Sequence, residues 1–282
     1  MFFVRLRSSI VLVIVALLLL LSGGWVLALG MLVVSLIAFH ELMRACGAAH
    51  AHSAENGNTK HWSALEVTGC IGAVLYYLIV YGNVQPVYWL GMLAAVFLGM
   101  MLVYVASFPQ LTAQQVMDAF FSFFYAPVLF SFIFLTRQLP GGIYMVWLIF
   151  ISSWICDTCA YLAGMAFGKH KLAPVLSPKK SVEGAIGGVV GSAAVGALFG
   201  WLFLDKLFVG QNMVWVIALI CGVGAVISQV GDLAASGIKR NHEIKDYGKL
   251  IPGHGGIMDR FDSVLFTAPI IYYLAILLIQ FE

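Results

Sequence analysis

The sequence contains few charged residues. Only 10% of its 282 residues are Asp, Glu, Lys or Arg, whereas 62% are hydrophobic. Soluble globular domains carry about 25% charged residues. A larger core cannot account for this deficit, because the surface of a soluble protein still has to face water. We therefore predict that most of the surface faces lipid and that the chain is an integral membrane protein.

The sequence also lacks a cysteine framework and a basic run. Its five cysteines are odd in number and scattered, which argues against a small disulfide-stabilised fold. Cys156 and Cys159 have a redox or metal spacing, but small apolar thiols on a membrane helix explain them better. The formal net charge is only +2, and no cluster of Lys and Arg predicts a nucleic-acid partner.

Nine apolar segments follow one another along the chain, and most approach the ~20 residues that a membrane-spanning helix needs. The first two are separated only by residues 22–24, Ser-Gly-Gly, where we favour a helical hairpin over one broken helix. Arg5 and Arg7 precede the first segment as in a signal peptide, but apolar sequence resumes at Trp25, so we expect a retained helix. The predicted fold class is all-α, a polytopic membrane protein with about nine transmembrane helices. The segments cover residues 9–22, 25–43, 63–82, 86–107, 119–136, 142–165, 182–204, 213–231 and 262–280.

The basic residues are distributed unequally between the two sides that nine spans would define. The side with the N-terminus carries 13 Lys and Arg residues, and the other side carries only Arg137 and Lys206. Because positively charged loops stay in the cytoplasm, the first side is predicted to be cytoplasmic. Its basic residues are Arg5, Arg7, Arg44, Lys60, Lys169, Lys171, Lys179, Lys180, Lys239, Arg240, Lys245, Lys249 and Arg260.

Charge concentrates in the segment from Gly231 to Asp262, which holds ten of the 28 charged residues. Asp232 closes one apolar run, and Asp259 and Asp262 open the next. Carboxylates at the ends of membrane helices are costly unless they are paired or bound to a metal. We expect N-terminal membrane helices in residues 1–110 and catalytic membrane helices in residues 111–282, with cytoplasmic loops at 166–181 and 232–261.

The pattern within this segment predicts a site for a metal–polyphosphate complex. Ser236, Lys239 and Arg240 share one helix face if the helix continues beyond the apolar run. Asp259 and Asp262 share a face at i, i+3, and the turn before them is rich in glycine, which lets a backbone approach an anion. Mg²⁺ commonly bridges carboxylates to substrate phosphates, and Lys and Arg neutralise the remaining phosphate charge.

A second basic patch, residues 177–184, is predicted on the same side of the membrane. Ser181 can cap the following helix and leave free N–H groups for an anion, and Lys179 and Lys180 add positive charge. A positive-inside anchor is the alternative explanation. Because the two patches share one side, we favour phosphate contact.

Isolated acidic residues in apolar segments are functional candidates. Asp157 lies in the sixth segment, where it either serves the site or pairs with Ser153, Thr158 or a neighbouring helix. Glu41 and Glu66 lie near helix ends, and for both we favour a solvated role.

The segment that begins at Ser236 resembles the signature of the phosphatidate cytidylyltransferase family, also called CDP-diacylglycerol synthases. About fifteen specified positions match over 27 residues, without a departure. Residues 177–184, the pair Asp157 and Tyr161, and the lead-in 229–232 also resemble the family. The N-terminal half agrees only in hydropathy and in the number of spans. The matching run includes Ser236, Lys239, Arg240, Lys245, Asp246, Gly248, Pro252, His254, Gly255, Gly256, Asp259, Arg260 and Asp262.

The resemblance implies that CTP and phosphatidate react to CDP-diacylglycerol and pyrophosphate, with Mg²⁺ as cofactor and a homodimer as the expected assembly. Charge and resemblance together place the active site on the cytoplasmic side of a bacterial-type inner membrane. A CTP-dependent lipid or polyprenol kinase, which would release CDP instead of pyrophosphate, is the alternative. An ion transporter is disfavoured, because the sequence shows no internal repeat and its polar residues cluster at one membrane face.

The resemblance assigns a role to each candidate residue. The expected catalytic residues are Asp232, Asp259, Lys239, Arg240, Asp246 and Arg260. The expected substrate contacts are Lys179, Lys180, Ser181, Ser236, Lys245, His254, Gly255 and Gly256. The expected metal ligands are Asp232 and Asp259 first, with Asp262 and Asp157 beside them.

Overall fold

The structure is a computed structural model that describes residues 2–48, 62–82, 84–204, 208, 212–251, 253 and 255–279, with side chains from residue 11 onward. Nine helices make up almost all of the regular structure in these residues. Their bounds are α1 Phe2–Ser22, α2 Gly24–Ala45, α3 Ala64–Tyr81, α4 Pro86–Ala106, α5 Ala113–Gln138, α6 Gly142–Phe167, α7 Val182–Leu204, α8 Met213–Asn241 and α9 Met258–Leu278.

Eight helices, α2 to α9, are long and apolar enough to cross a membrane, and α1 is apolar over Val11–Ser22, the part of it whose side chains the structure describes. Large hydrophobic side chains lie on their outer surfaces. On α4, for example, Leu102 is 71% exposed and Val105 is 68% exposed. Such exposure costs free energy in water but none in lipid. The structure confirms the predicted all-α, multi-pass membrane fold.

The first two helices form the predicted hairpin. The chain leaves α1 through Gly23 and Gly24, whose φ angles of +63° and +47° lie in the left-handed region, which glycine adopts without strain. Gly30 of α2 allows close packing on α1, because a Cβ there would lie 2.6 Å from Cδ2 of Leu19. The two apolar segments are therefore separate helices that contact each other.

Three helices contain a five-residue π-helical segment. These segments are Phe124–Val128 in α5, Ile151–Ile155 in α6 and Gly200–Leu204 in α7. Pro127 explains the first, since proline has no N–H to donate to the regular helical ladder. The second ends two residues before Asp157. Because π-helical turns are frequent at functional sites, this shift in helix register favours a functional role for Asp157.

The chain forms two compact units that interleave in sequence. Unit 1 comprises Met1–Ser131 and Ile244–Arg260, and unit 2 comprises Phe132–Glu243 and Phe261–Glu282. Helix α9 therefore begins in unit 1 and continues in unit 2. The sequence instead predicted a division at residue 110, into N-terminal helices and catalytic helices. That division stays a prediction.

The two units have different cores. In unit 1 the buried aromatic ring of Tyr76 packs edge-on against Phe123, with ring centroids 6.5 Å apart. In unit 2 small residues bring helices together, since a Cβ at Gly196 of α7 would lie 2.7 Å from Cβ of Cys221 in α8. Close packing through small residues is typical of membrane helices, which gain no hydrophobic free energy from association within lipid.

The structure refines both predicted loops. Loop 166–181 contains two antiparallel strands, β1 Lys171–Ala173 and β2 Ser177–Ser181. An all-helical prediction missed this hairpin, because such short polar strands carry no clear hydrophobic alternation. Loop 232–261 begins later than predicted, since α8 continues to Asn241.

Candidate active site

A cavity of about 430 Å³ in unit 2 collects residues that the sequence predicted for the site. Asp157 lines it from α6 and Asp232 lines it from α8, while Lys179, Lys180 and Ser181 line it from β2. Asp157 and Asp232 are 75 positions apart in the sequence. The tertiary structure therefore joins the second basic patch to Asp232, the first charged residue of the charged segment.

Small residues let α6 and α7 approach closely enough to form this cavity. A Cβ at Gly184 would lie 2.7 Å from the carbonyl oxygen of Ala160, and a Cβ at Gly164 would lie 3.0 Å from Oγ of Ser181. The carbonyl oxygen of Ala160 cannot move away cheaply, because it belongs to a packed helix, and Oγ of Ser181 is held by the N–H of Gly184. The placement of Asp157 relative to Ser181 therefore depends on these glycines.

Lys180 and Asp232 form an ion pair through Nζ and a carboxylate oxygen. The two side chains are 25% and 27% exposed, so the pair is partly shielded from water. A partly shielded pair is stronger than one on an open surface, because the effective dielectric constant is lower. The pair connects β2 to α8 and brings a predicted substrate contact to a predicted metal ligand.

Asp157 faces the cavity and is exposed there. The hydroxyl groups of Ser153 and Thr158, which the sequence offered as partners, instead donate to carbonyl oxygens of the preceding helical turn, both at 2.8 Å. The charged groups that act on Asp157 are Asp232 and Lys180. The structure thus favours the functional alternative over a local hydrogen bond.

Three aspartates of unit 2 act on one another electrostatically. Asp262 of α9 lies within electrostatic range of Asp157, Asp232 and Lys239. The close approach of α8 to α9 explains this, because a Cβ at Gly231 would lie 3.0 Å from the carbonyl oxygen of Asp262. Neighbouring carboxylates repel one another unless a cation neutralises them. Lys180 and Lys239 offset part of this repulsion, and a cation bound near the cluster would offset more of it.

The donor chemistry of this cluster fits a hard divalent cation. Mg²⁺ prefers oxygen ligands and often takes only one or two carboxylates, completing its shell with water and substrate phosphates. Across the part of the chain that the structure describes, no group of three or more His, Cys, Asp or Glu side chains could hold a metal by itself. Asp157, Asp232 and Asp262 are therefore candidates of which at most two would bind the same ion, with water and substrate phosphates completing its shell.

Ser181 caps α7, as predicted, because its Oγ accepts the N–H of Gly184 at 3.2 Å. The N–H of Val182 donates to the carbonyl oxygen of His170 at 2.9 Å. These two N–H groups are therefore engaged within the protein. Contact of the remaining N–H of the first turn with an anion stays a prediction, and Lys179 and Lys180 are the other candidates for phosphate binding at this patch.

A clasp that the sequence did not reveal holds the β-hairpin to the first turn of α7. The carboxylate of Glu183 accepts the N–H groups of Lys169 at 3.0 Å and His170 at 3.2 Å. Its Oε1 also lies 2.6 Å from Nδ1 of His170. The clasp fixes the segment that leads into β1 and supports the position of the lysines on β2.

A second set of predicted residues lies in residues 244–260 of unit 1, which we call the signature turn. Oδ2 of Asp259 accepts the N–H groups of Tyr247 at 2.8 Å and Gly256 at 2.9 Å. Gly255 has a φ of +88°, and a Cβ there would lie 2.8 Å from the same oxygen. Gly255 therefore has a structural role in making room for Asp259, and its contact with substrate stays a prediction.

Two acidic residues outside the predicted site are buried in unit 1. Glu41 is 6% exposed and accepts the N–H groups of Ile257 at 3.1 Å and Met258 at 3.0 Å. Glu66 is 2% exposed and pairs with His40. The prediction of solvated roles was wrong for both. The available signal was an acidic side chain near the end of an apolar helix, which requires a partner when it is buried.

Two predicted residues line another cavity in unit 1, with a volume of about 710 Å³. Lys245 and Asp246 lie there together with His40, Arg44 and Lys249. Glu41 lines it as well, so three basic side chains face two carboxylates there, and the cavity can accept an anionic group. The roles of Lys245 and Asp246 in the reaction stay predictions.

The remaining predicted residues lie near helix ends. Because α8 continues to Asn241, Ser236, Lys239 and Arg240 share one helix face, as predicted. Ser236 and Lys239 are half-buried, whereas Arg240 is exposed. Arg260 is exposed in the first turn of α9. His254 lies outside the described residues.

Comparison with known proteins connects these observations to one family. Residues 3–278 match the cytidylyltransferase family. A phosphatidate cytidylyltransferase of Staphylococcus aureus is 36% identical over 284 residues, which cover 98% of this chain and 99% of the relative. Those of Staphylococcus epidermidis and Staphylococcus saprophyticus are 34% and 35% identical, with the same coverage. The similarity includes the N-terminal helices, which the signature does not reach. The chain therefore belongs to the cytidylyltransferase family.

Proposed function

We propose that this chain transfers the cytidylyl group of CTP to phosphatidate and releases CDP-diacylglycerol and pyrophosphate. The observation that carries the proposal is the cavity of unit 2, which Lys179, Lys180, Asp157 and Asp232 line together. Lysines bind phosphates, and carboxylates bind the metal that accompanies a nucleoside triphosphate. The similarity to phosphatidate cytidylyltransferases supports the identity of both substrates.

The proposed reaction needs little acid–base chemistry. A phosphate oxygen of phosphatidate attacks the α-phosphorus of CTP, while the bond from that phosphorus to the oxygen bridging to the β-phosphate breaks. Because the nucleophile is already an anion, no strong base is required. The main tasks are to bring two anions together and to stabilise the charge on the leaving pyrophosphate.

We assign phosphate binding in the unit 2 cavity to Lys179 and Lys180. Asp232 holds Lys180 in place before substrate arrives, so less side-chain entropy is lost on binding. Lys180 also reduces the repulsion between Asp232 and an approaching phosphate. Ser181 contributes by fixing the end of β2 against α7.

We also propose Mg²⁺ as the divalent metal of this enzyme. Asp157, Asp232 and Asp262 are its candidate ligands in unit 2, and the resemblance adds Asp259. When bound, Mg²⁺ would neutralise phosphate charge and stabilise the leaving group. Chelation with EDTA should stop turnover, and added Mg²⁺ should restore it.

We also propose roles for the other predicted residues and a catalytic role for residues 111–282. The cavity of unit 2 lies entirely within residues 111–282, which supports the proposal that this part is catalytic. The proposed phosphate contacts are Lys239, Arg240, Lys245 and Arg260. The proposed further substrate contacts are Ser236, His254, Gly255 and Gly256, and Asp246 is a proposed catalytic residue.

We propose that the protein lies in the cell membrane with its active site on the cytoplasmic side. The 13 to 2 distribution of Lys and Arg supports this orientation, and CTP is available in the cytoplasm. Modification of single cysteines by an impermeant reagent would test it. A cysteine at exposed position 175 should react only in inverted vesicles, and reaction in intact cells would contradict the orientation.

A homodimer is a separate proposal that follows from the resemblance alone. Light scattering of the purified protein, corrected for detergent, should give twice the mass of one chain. A single-chain mass would overturn it.

Purified protein with labelled CTP, Mg²⁺ and phosphatidate tests the main proposal. We expect labelled CDP-diacylglycerol and one pyrophosphate per turnover. Formation of CDP with a phosphorylated lipid would establish the kinase alternative instead. Absence of both products from folded protein would contradict a cytidylyl transfer function.

A further inference from the structure

A buried carboxylate from α2 supports the signature turn. Glu41 accepts the N–H groups of Ile257 and Met258, and α9 begins at Met258. Its charge therefore lies at the positive end of the α9 dipole. Hydrogen bonds to a carboxylate are stronger than those between neutral groups, so two of them define the start of this helix strongly.

The signature turn has space for this carboxylate on two sides. A Cβ at Gly248 would lie 2.7 Å from Cδ of Glu41, and a Cβ at Gly256 would lie 2.5 Å from the same atom. Real Cβ atoms do not approach a carboxyl carbon so closely. Glycine at both positions is therefore explained by the presence of Glu41.

Three successive N–H groups of the turn are divided between two carboxylates. Gly256 donates to Asp259, whereas Ile257 and Met258 donate to Glu41. Glu41 thus fixes the backbone immediately before Asp259, while Asp259 closes the same turn. The positions of Asp259 and of its neighbour Arg260 consequently depend on a residue more than 200 positions earlier in the chain.

We infer that Glu41 is a positioning residue for cytidylyl transfer, since it fixes the start of α9 and through it the side chains of Asp259 and Arg260. This inference rests on the proposed function. It extends the functional machinery into the N-terminal helices.

Glu41→Gln tests the inference in the full-length protein in lipid nanodiscs. The substitution keeps the size of the side chain but places an NH₂ group against a backbone N–H donor. Asp118→Asn is the matched control, because it makes the same chemical change where the carboxylate accepts a hydrogen bond from Gln114 on its own helix. Glu41→Gln should lower kcat about 10- to 100-fold and raise the Mg²⁺ concentration needed for half-maximal rate. KM for CTP should change less, and the control should keep its kcat within about twofold.

A second measurement does not depend on activity. Amide hydrogen exchange at Ile257 and Met258 should be faster in Glu41→Gln than in the Asp118→Asn control, because their acceptor is weakened. It is measured on the folded protein in the same nanodiscs, without CTP, phosphatidate or metal.

Gly256→Ala provides an independent variant, because the added methyl group displaces the Glu41 carboxylate without changing its charge. It should reproduce the loss of kcat. The double variant should be no worse than the poorer single variant, because both substitutions remove the same contact.

The outcomes separate the inference from the proposed function. An active wild-type enzyme whose Glu41→Gln variant keeps kcat, metal dependence and amide exchange would refute the positioning role. A variant that only unfolds at a lower temperature, while its folded fraction keeps full kcat, would refute it as well. A wild-type protein that forms no product would overturn the proposed function instead.

Discussion

The two charged regions of this protein use their carboxylates in different ways. In the signature turn of unit 1, Glu41 and Asp259 together accept four backbone N–H groups. In the cavity region of unit 2, Asp157, Asp232 and Asp262 act on one another and on nearby lysines. Glu41 and Asp259 also repel each other, but the backbone N–H groups that they accept offset that repulsion, whereas a bound cation would offset it among the aspartates of unit 2. A high density of charged residues in the sequence therefore includes two kinds of carboxylate: those that stabilise the fold and those that are candidates for binding metal and substrate.

The largest expected effect comes from Asp232→Asn in the cavity. The substitution removes a proposed metal ligand and leaves Lys180 without its ion-pair partner. We expect the rate of CDP-diacylglycerol formation to fall about 10³-fold, measured as initial rate with labelled CTP. Asp118→Asn serves as control, and a loss below about tenfold would show that this region is not the reacting centre.

Asp259→Asn tests whether a carboxylate of the signature turn has a catalytic role as well as a structural one. Asparagine keeps an oxygen that can accept the N–H groups of Tyr247 and Gly256, so the turn and the expression level should survive. Because the charge of a proposed metal ligand is lost, turnover should still fall at least about 100-fold. Near-normal turnover in this variant would mean that Asp259 only holds the turn.

Substitution of each of the two lysines of β2 tests how much each one contributes to CTP binding in the cavity. Lys180 is half-buried and paired with Asp232, whereas Lys179 is exposed. Lys180→Ala should raise KM for CTP about tenfold or more, since it removes a charge-assisted contact. Lys179→Ala should have a smaller effect that fades as salt is raised. Equal effects of the two substitutions would contradict the preorganised role of Lys180.

The smallest expected effect concerns the cap of α7. Ser181→Ala removes the acceptor for the Gly184 N–H and should destabilise the fold by about 1 kcal/mol. Thermal unfolding in detergent should detect a small decrease in Tm, with kcat within about twofold of wild type. Thr68→Ala is the control, because that hydroxyl donates only to a carbonyl of its own helix. A large loss of activity would show that Ser181 contacts substrate.

Local sequence patterns predicted much of the fold and part of the site. The nine apolar segments correspond to nine described helices, because hydropathy and length are properties of each segment alone. The cap at Ser181 was also predictable, since it follows from residues within a few positions. The predicted loop began at residue 232, whereas α8 continues to Asn241. The β-hairpin and the hydrogen bond from the Val182 N–H to His170 were not predictable, because they depend on contacts with residues before α7.

The sequence by itself determined that the chain spans a membrane, where its helices lie and which residue types can bind phosphate and metal. The tertiary structure decided which carboxylates support the fold and which line the cavity. Glu41 looked like a solvated helix-end residue, yet it is buried against Ile257 and Met258. Helix formation depends on neighbours in the sequence, whereas the partner of a carboxylate depends on which distant backbone lies within about 3 Å of it.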